Sequence, residues 1–255
     1  MLKRSPALLD QVTLELETPL HHAVSNGGRR HAVEGLDLIK FLINKGLDLR
    51  AQDKFGRVPF HYCPDVASIQ YLLSLDSELI EWTDSGGNTA LHLAEDFEVA
   101  EELMKRGCKW DQENVEDQRP LVVALEDERY EAARALIERE YRKDSDIRIG
   151  SQPILHFLME NAPHTSALYG LLKHILGKQL VNPELRDENN KTALACMCQK
   201  IGAEVSRTQL NIIRLLIGLD PTSLQDTVDL PGAQITVRDY LENKGVPTGE
   251  VLLGA

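Results

Sequence analysis

One short pattern recurs six times along this chain of 255 residues, with a weaker seventh copy near the end. Its fullest form is Thr18-Pro19-Leu20-His21-His22-Ala23, and Thr89-Ala90-Leu91-His92-Leu93-Ala94 is a close copy. The second residues of the copies stand at 19, 59, 90, 120, 153, 193 and 237, with spacings of 40, 31, 30, 33, 40 and 44. Such a unit is too short to bury its own apolar side chains, so we expect it to pack against neighbouring copies.

Each copy has the chemistry of a turn followed by two helices. Thr can cap a helix, and Pro is tolerated in the first helical turn because its missing N–H has no partner there. Three residues before the second position stand residue types that tolerate positive φ, namely Gly56, Gly87, Gly150 and Asn190. Three of these turns open on an acidic residue: Asp53, Asp84 and Asp187. We find no such turn signal ahead of the first copy, and we expect a short helix to begin at Thr89.

The repeated pattern resembles the ankyrin repeat family, whose period is about 33 residues and whose mark is T-P-L-H-x-A. The resemblance covers nearly the whole chain and implies an all-α repeat fold. This would be a solenoid of about six to seven helix-turn-helix repeats joined by short β-hairpin-like loops. We expect a single domain, with residues 1–17 as an N-terminal cap, 18–235 as six repeats, and 236–255 as a degenerate C-terminal repeat or cap and tail.

Composition excludes several classes of function. A net charge of −12 argues against nucleic acid, because phosphate binding needs a basic face. No apolar run approaches the ~18 residues of a membrane span, and the N-terminus lacks the pattern of a secretory signal. Four cysteines do not make a disulfide framework and favour a cytoplasmic or nuclear location. We therefore expect neither nucleic acid nor a membrane as a partner, and we expect a monomer.

The candidate metal and catalytic residues are better explained by packing. The ankyrin resemblance implies that His21, His61, His92 and His156 bridge neighbouring turns by hydrogen bonds rather than bind a metal. Cys196-Met197-Cys198 looks like half a metal site, but no second Cys/His pair follows at zinc-ligand spacing. We find no nucleophile elbow, phosphate loop or H-E-x-x-H motif, so we predict no enzyme and no cofactor. An alternative is a hydrolytic or small-molecule site in the long loops of repeats five and six, near His164 and His174.

By resemblance, ankyrin proteins bind other proteins through a concave face of hairpin tips and first helices. On this sequence the predicted tip residues are Lys54, Phe55, Arg57, Ser85 and Asn88, with Trp82 at a hairpin base. Packing does not require an aromatic ring at Phe55. An exposed ring beside Arg57 is a plausible pair for partner binding.

Acidic residues concentrate between 95 and 131, where 13 Asp/Glu face 5 Lys/Arg. Two groups occupy matching places between the helices of repeats three and four, Glu95 with Asp96, and Glu126, Asp127 with Glu128. Stacked repeats would align them into an acidic ridge, which is either a solvated face or a docking surface for a basic segment.

The sequence favours a non-catalytic adaptor, scaffold or inhibitor that binds a protein partner. A secreted microbial effector that mimics host ankyrin proteins is an alternative.

Overall fold

We describe the protein from a computed structural model that covers residues 11–27, 32–141, 147–202, 204–230 and 233–246, together with Leu9 and Thr248. The chain divides into two compact units, Met1–Leu136 and Ile137–Ala255. Much of the predicted N-terminal cap, part of the insertion in repeat one and the tail from 249 onward lie outside the described residues. The assignment of the whole chain to a single domain stays a prediction.

Helices dominate both units, as the all-α repeat prediction requires. The α-helices that begin in the first unit are α1 Pro19–Gly27, α2 Ala32–Asn44, α3 Val66–Leu75, α4 Phe97–Lys105, α5 Pro120–Glu126 and α6 Tyr130–Tyr141. Those that begin in the second are α7 Ile154–Asn161, α8 Ser166–Gly177, α9 Ala193–Lys200, α10 Arg207–Leu219 and α11 Val237–Asn243. Short 3-10 helices span Pro59–Tyr62, Ser77–Glu81 and Pro221–Gln225.

Strands occur as two antiparallel hairpins in the second unit. The first pairs β1 Arg148–Ile149 with β2 Gln152–Pro153, and the second pairs β3 Thr227–Leu230 with β4 Ala233–Thr236. Each hairpin leads directly into a helix, α7 after β2 and α11 after β4. The predicted hairpin-like connections between repeats are therefore true β-hairpins at these two places.

Elsewhere the connection between repeats is a tight tip turn that one side chain closes. Oδ1 of Asp53 accepts the backbone N–H groups of Phe55 at 2.8 Å and Arg57 at 2.9 Å. Asp84, Asn114 and Asp187 close equivalent turns in the same way. The predicted positive φ is confirmed, with +74° at Gly56, +77° at Gly87, +61° at Gly150 and +60° at Asn190.

The first repeat also has this turn, although the sequence carries no turn signal ahead of it. Oγ1 of Thr13 accepts the N–H groups of Glu15 and Glu17, both at 3.2 Å, in the place of the usual aspartate. Leu16 takes a φ of +62°, which side chains of its kind rarely adopt. Thr13 and Leu16 lack the Asp and Gly that mark the turns at Asp53 and Asp84.

The first helices of repeats two and three are shorter than predicted. Repeat two has only a 3-10 helix at Pro59–Tyr62. In repeat three the expected helix at Thr89 is replaced by successive turns, in which the N–H groups of His92 and Leu93 bond to the carbonyls three residues earlier. The reason is length, since α4 already begins at Phe97 and leaves too few residues for a regular first helix.

Repeat five is shifted by one residue from the predicted alignment. Pro153 was expected at the first helical position, but it is the N-cap of α7, and Ile154 takes the first position. His156 therefore occupies the place of His21 and His92. Because Pro153 has no N–H, Nδ1 of His156 lacks the hydrogen bond that Nδ1 of His92 accepts from Thr89 at 3.1 Å.

Three of the four predicted histidines tie consecutive repeats together within each unit, whereas Nε2 of buried His61 has no hydrogen-bond partner among the described residues. Nε2 of His21 lies 3.0 Å from the carbonyl oxygen of Arg57, and Nε2 of His92 lies 3.2 Å from that of Gln118. His156 makes the same bond to Lys191 at 2.8 Å. All three side chains are buried, so each bond joins the first helix or helical turns of one repeat to the next tip turn without competition from water.

Aliphatic side chains fill the space between helices in both units. In the first unit α1 packs on α2 and on the Pro59–Tyr62 helix, with Leu20 and Ile39 fully buried. In the second unit α7 packs on α9, and α8 packs on α10. None of the helices that the structure describes is both long and apolar enough to cross a membrane.

Candidate functional site

The tip turns of the first unit form a continuous row. The N–H of Lys54 donates to the carbonyl of Glu15 at 2.8 Å, and the N–H of Ser85 donates to that of Phe55 at 2.8 Å. Val115 continues the row with a bond to Gly86 at 2.9 Å. One backbone bond per repeat therefore fixes the spacing of the turns, and side chains on successive tips present one surface.

Phe55 is the exposed aromatic residue that the sequence predicted at a tip, with 47 % of its surface accessible. Two cations lie over its ring, Nζ of Lys54 at 4.8 Å and the guanidinium of Arg57 at 5.3 Å. Lys54 also forms a salt bridge with Glu15. The ring therefore contacts two cations while about half of its surface stays accessible.

Arg57 has a structural connection as well as an exposed edge. Its Nε donates to Oδ2 of Asp84 at 3.1 Å, and its guanidinium lies 5.9 Å from the Tyr62 ring. Burial disfavours the Arg57 charge, but hydrogen bonds with Asp84 and Tyr62 outweigh it and raise the pKa. Burial likewise opposes ionisation of Asp84, yet hydrogen bonds from Asn88 and Arg57 hold the pKa of that carboxyl below its usual value.

A groove of about 750 Å³ opens beside Arg57 in the first unit. Its lining includes the charged residues Arg57, Glu95, Asp96, Asp127 and Arg129 and the rings of His61 and Tyr62. Four of these residues were predicted to bind a partner, and His61, Tyr62 and Arg129 were not. The groove lies where the first helices of repeats two and three are shortest, so their inter-helix residues line it.

Arg129 lies within the predicted acidic ridge. Its NH1 donates to the carbonyl oxygen of Ala94 at 3.1 Å, and its NH2 donates to Asp127 at 2.8 Å. The inter-helix turns of repeats three and four are therefore neighbours. Burial lowers the pKa of Arg129, since the guanidinium is partly removed from water.

The other predicted residues lie outside the groove. Trp82 is half-buried with the Arg50 guanidinium 5.6 Å from its ring, which makes it part of the framework. Nδ2 of Asn88 donates to Asp84 at 3.1 Å, and Glu126 accepts from Gln118 at 2.7 Å. The two remaining residues lie in turns, Ser85 on a tip and Glu128 at a φ of +58°.

The two histidines of the alternative hydrolytic site bind different partners in the second unit. His164 lies 3.2 Å from Gln209, and burial lowers its pKa. Nε2 of His174 lies 2.8 Å from Oε1 of Glu138, which also accepts from Lys178 at 3.0 Å. No hydrogen bond joins His164 to His174 in the described part of the chain, so the two side chains do not form one catalytic pair.

Comparison with known proteins agrees with the repeat pattern. Residues 15–54 match the family model described as "Ankyrin repeat". A relative from Caenorhabditis elegans, named "Transient receptor potential cation channel subfamily A member 1 homolog", is 24 % identical over 212 residues, which cover 80 % of this chain and 16 % of the relative.

A second relative comes from Saccharomyces cerevisiae and is named "Probable 26S proteasome regulatory subunit p28". It is 32 % identical over 110 residues, which cover 40 % of this chain and 45 % of the relative. The chain thus spans less than half of either relative. Residues 15–54 are therefore an ankyrin repeat, and the repeated turns and bridging histidines continue the same pattern through the described residues.

Proposed function

We propose that this chain is a non-catalytic adaptor, scaffold or inhibitor that binds one partner protein along the tip turns and groove of its first unit. Ankyrin repeats are protein-interaction modules, which supports the general class. The observation that carries the proposal is the exposed Phe55 ring beside a groove lined by Glu95, Asp96 and Asp127. An aromatic anchor next to a charged depression is typical of a protein interface.

The partner segment would offer an apolar side chain to Phe55 and a basic side chain to the acidic part of the groove. Arg57 and Arg129 line the groove too, but the three carboxylates there outnumber them. The net charge of −12 favours approach of a basic segment through long-range attraction. The yeast relative's name as a regulatory subunit is compatible with an adaptor that works inside a larger assembly.

We further propose a cytoplasmic or nuclear location for a monomeric chain. The four cysteines are free thiols, which supports a reducing compartment. Partner binding would then depend on the chain's own surface rather than on a second copy. Sedimentation of the pure protein at several concentrations would test the monomer, since self-association would raise the mass with concentration.

Phe55→Ala is the direct test of the interface, and Phe41→Ala is its matched control. Phe41 on α2 is 45 % exposed and has the Lys45 ammonium 5.3 Å from its ring, so the two sites are chemically alike. The wild type and both variants would be used to purify partners from a native lysate, followed by affinity measurement with the protein found. We expect Phe55→Ala to weaken binding about thirty-fold, the scale of a hot-spot residue.

Equal affinities of the two phenylalanine variants for the partner would contradict the proposed interface.

The contribution of the acidic residues is tested separately with Glu95→Lys combined with Asp96→Lys. The control is Glu188→Lys combined with Glu204→Lys, at exposed sites of the second unit. The Glu95→Lys, Asp96→Lys double variant should associate with the partner more slowly than the wild type at low salt. The difference between their association rates should shrink at high salt. If the Glu95→Lys, Asp96→Lys double variant associates as fast as the wild type, the partner does not bind through a basic segment.

A further inference from the structure

Three side chains that can ligate a metal converge in the second unit, away from the groove. Glu160 lies near the end of α7, Asp187 opens the tip turn before α9, and Cys196 lies within α9. One ligand atom from each lies within 4.8 Å of the other two. Sγ of Cys196 is 3.8 Å from Oδ2 of Asp187. The sequence did not reveal this group, because its members are far apart in the chain and do not follow a known metal-site spacing.

Among the described residues, no basic side chain forms a salt bridge with either carboxylate of this cluster. Glu160 accepts one hydrogen bond, from Gln152 at 2.8 Å, and Oδ1 of Asp187 accepts the N–H groups that close the tip turn. Neither carboxylate forms a salt bridge with any residue that the structure describes. The nearby Lys191 ammonium bonds to Asp229 instead. Two carboxylates and one thiol therefore lie within 4.8 Å of one another.

The thiol cannot satisfy both carboxylates. Cys196 is buried, and its sulfur lies within 4.8 Å of an oxygen of each carboxylate. A single S–H can donate to one oxygen at a time. Like charges this close disfavour each other unless a cation lies between them. A divalent cation would offset both negative charges and bond to all three atoms at once.

We propose that Glu160, Asp187 and Cys196 bind a divalent zinc-type cation, with water at the fourth position. Thiolate and carboxylate are both established zinc ligands, and the thiolate disfavours the hard cations Mg²⁺ and Ca²⁺. Bonds of about 2.3 Å to sulfur and about 2.0 Å to oxygen put tetrahedral ligands about 3.5 Å apart, close to the separation of Cys196 and Asp187. On binding, a metal–sulfur bond forms and the thiol proton passes to solvent.

The metal would join two consecutive repeats within the second unit. Glu160 belongs to the first helix of repeat five, whereas Asp187 and Cys196 belong to the turn and first helix of repeat six. A ligand that binds only the folded state raises its stability in proportion to the logarithm of its concentration above Kd. Zn²⁺ should therefore raise the melting temperature of the chain.

The test is a titration of the full chain with Co²⁺ and Zn²⁺ under reducing conditions. Co²⁺ bound to a thiolate absorbs in the near ultraviolet, so the band reports the Cys196 bond directly. We expect one Co²⁺ per chain, displacement by one Zn²⁺, and a higher melting temperature with Zn²⁺. Cys196→Ser should abolish the band, and Glu160→Gln should weaken Zn²⁺ binding at least tenfold.

Cys198→Ser is the matched control, since Cys198 is a buried cysteine on the same helix and lies outside the cluster. It should bind Co²⁺ like the wild type. The proposal is overturned if the wild type shows no thiolate band, if the band survives in Cys196→Ser, or if it disappears only in Cys198→Ser. Circular dichroism checks each variant for folding. If Cys196→Ser does not fold, unchanged Zn²⁺ affinity in Glu160→Gln overturns the site.

Discussion

In the first unit the tip turns follow one another through single backbone hydrogen bonds, and the first helices of repeats two and three shrink to 3-10 turns. In the second unit two tips widen into β-hairpins that lead into α7 and α11, and the first helices of repeats five and six, α7 and α9, are full α-helices. Repeats two and three of the first unit are also short, with spacings of 31 and 30, against 40 and 44 for repeats five and six and 40 for repeat one. The comparison teaches that one repeat motif supports two kinds of site, a groove where it is short and a side-chain cluster where it is long.

The tip turns should differ in how much one aspartate stabilises them. Buried Asp84 accepts from Gly86, Asn88 and Arg57, whereas the more exposed Asp187 accepts two backbone bonds in its turn. Asp84→Ala should lower the free energy of unfolding by about 3 kcal/mol because it leaves buried donors unpaired, and Asp187→Ala should lower it by about 1 kcal/mol.

Urea unfolding measures this difference. Both tryptophans, Trp82 and Trp110, belong to the first unit, so their fluorescence follows that unit while circular dichroism follows the whole chain. An Asp187→Ala variant that shifts the fluorescence transition as strongly as Asp84→Ala would remove the contrast between the two turns.

Glycines at equivalent turn positions should also differ. Gly87 and Gly150 both have positive φ, but a Cβ at Gly87 would lie 3.0 Å from the backbone nitrogen of Val115, and nothing lies within 4 Å at Gly150. Gly87→Ala should therefore destabilise by about 2 kcal/mol, since it combines backbone strain with a clash in the row of tips. Gly150→Ala should cost about 1 kcal/mol from strain alone. Thermal melts compare the two variants, and equal shifts would show that the row of tips tolerates the added atom.

The smallest expected effect is a pH dependence of the first unit. Burial lowers the pKa values of His61 and His92 below the ordinary value of about 6.5. Both imidazoles bind a proton more weakly in the folded chain than in the unfolded chain. The free energy of unfolding should therefore fall as pH drops below 6.5. Each histidine contributes at most about 1.4 kcal/mol per pH unit.

His92→Leu should reduce that slope by up to one proton when urea unfolding is followed by tryptophan fluorescence between pH 7 and 5. The variant is also expected to lose stability at pH 7, because the bonds to Thr89 and Gln118 are lost. The slope rather than the absolute stability is therefore the informative quantity. If the dependence of the unfolding free energy on pH is unchanged, protonation of His92 does not contribute to the loss of stability at low pH.

Much of the local structure could be predicted because its causes lie within a few residues. Asp53 and Gly56 specify a turn by a side-chain hydrogen bond and a positive φ. The sequence predicted both the turn and the position of the positive φ. The turn at Thr13 was missed because a threonine replaces the aspartate and Leu16 adopts a conformation that its type disfavours. The shift at Pro153 was missed because the motif residues are present, and only hairpin register decides which of them caps the helix.

The candidate sites needed the tertiary structure, since they depend on contacts between repeats. Sequence placed Phe55 at a tip, but it could not bring Arg129 into a groove with Arg57 or set Glu160 against Cys196. The sequence by itself determined the repeat, its turns and its bridging histidines, because these follow from hydrogen bonds and periodicity along the chain. Only the tertiary structure decided which side chains of successive repeats converge, because that depends on the length of each inter-helix segment and on how neighbouring helices pack.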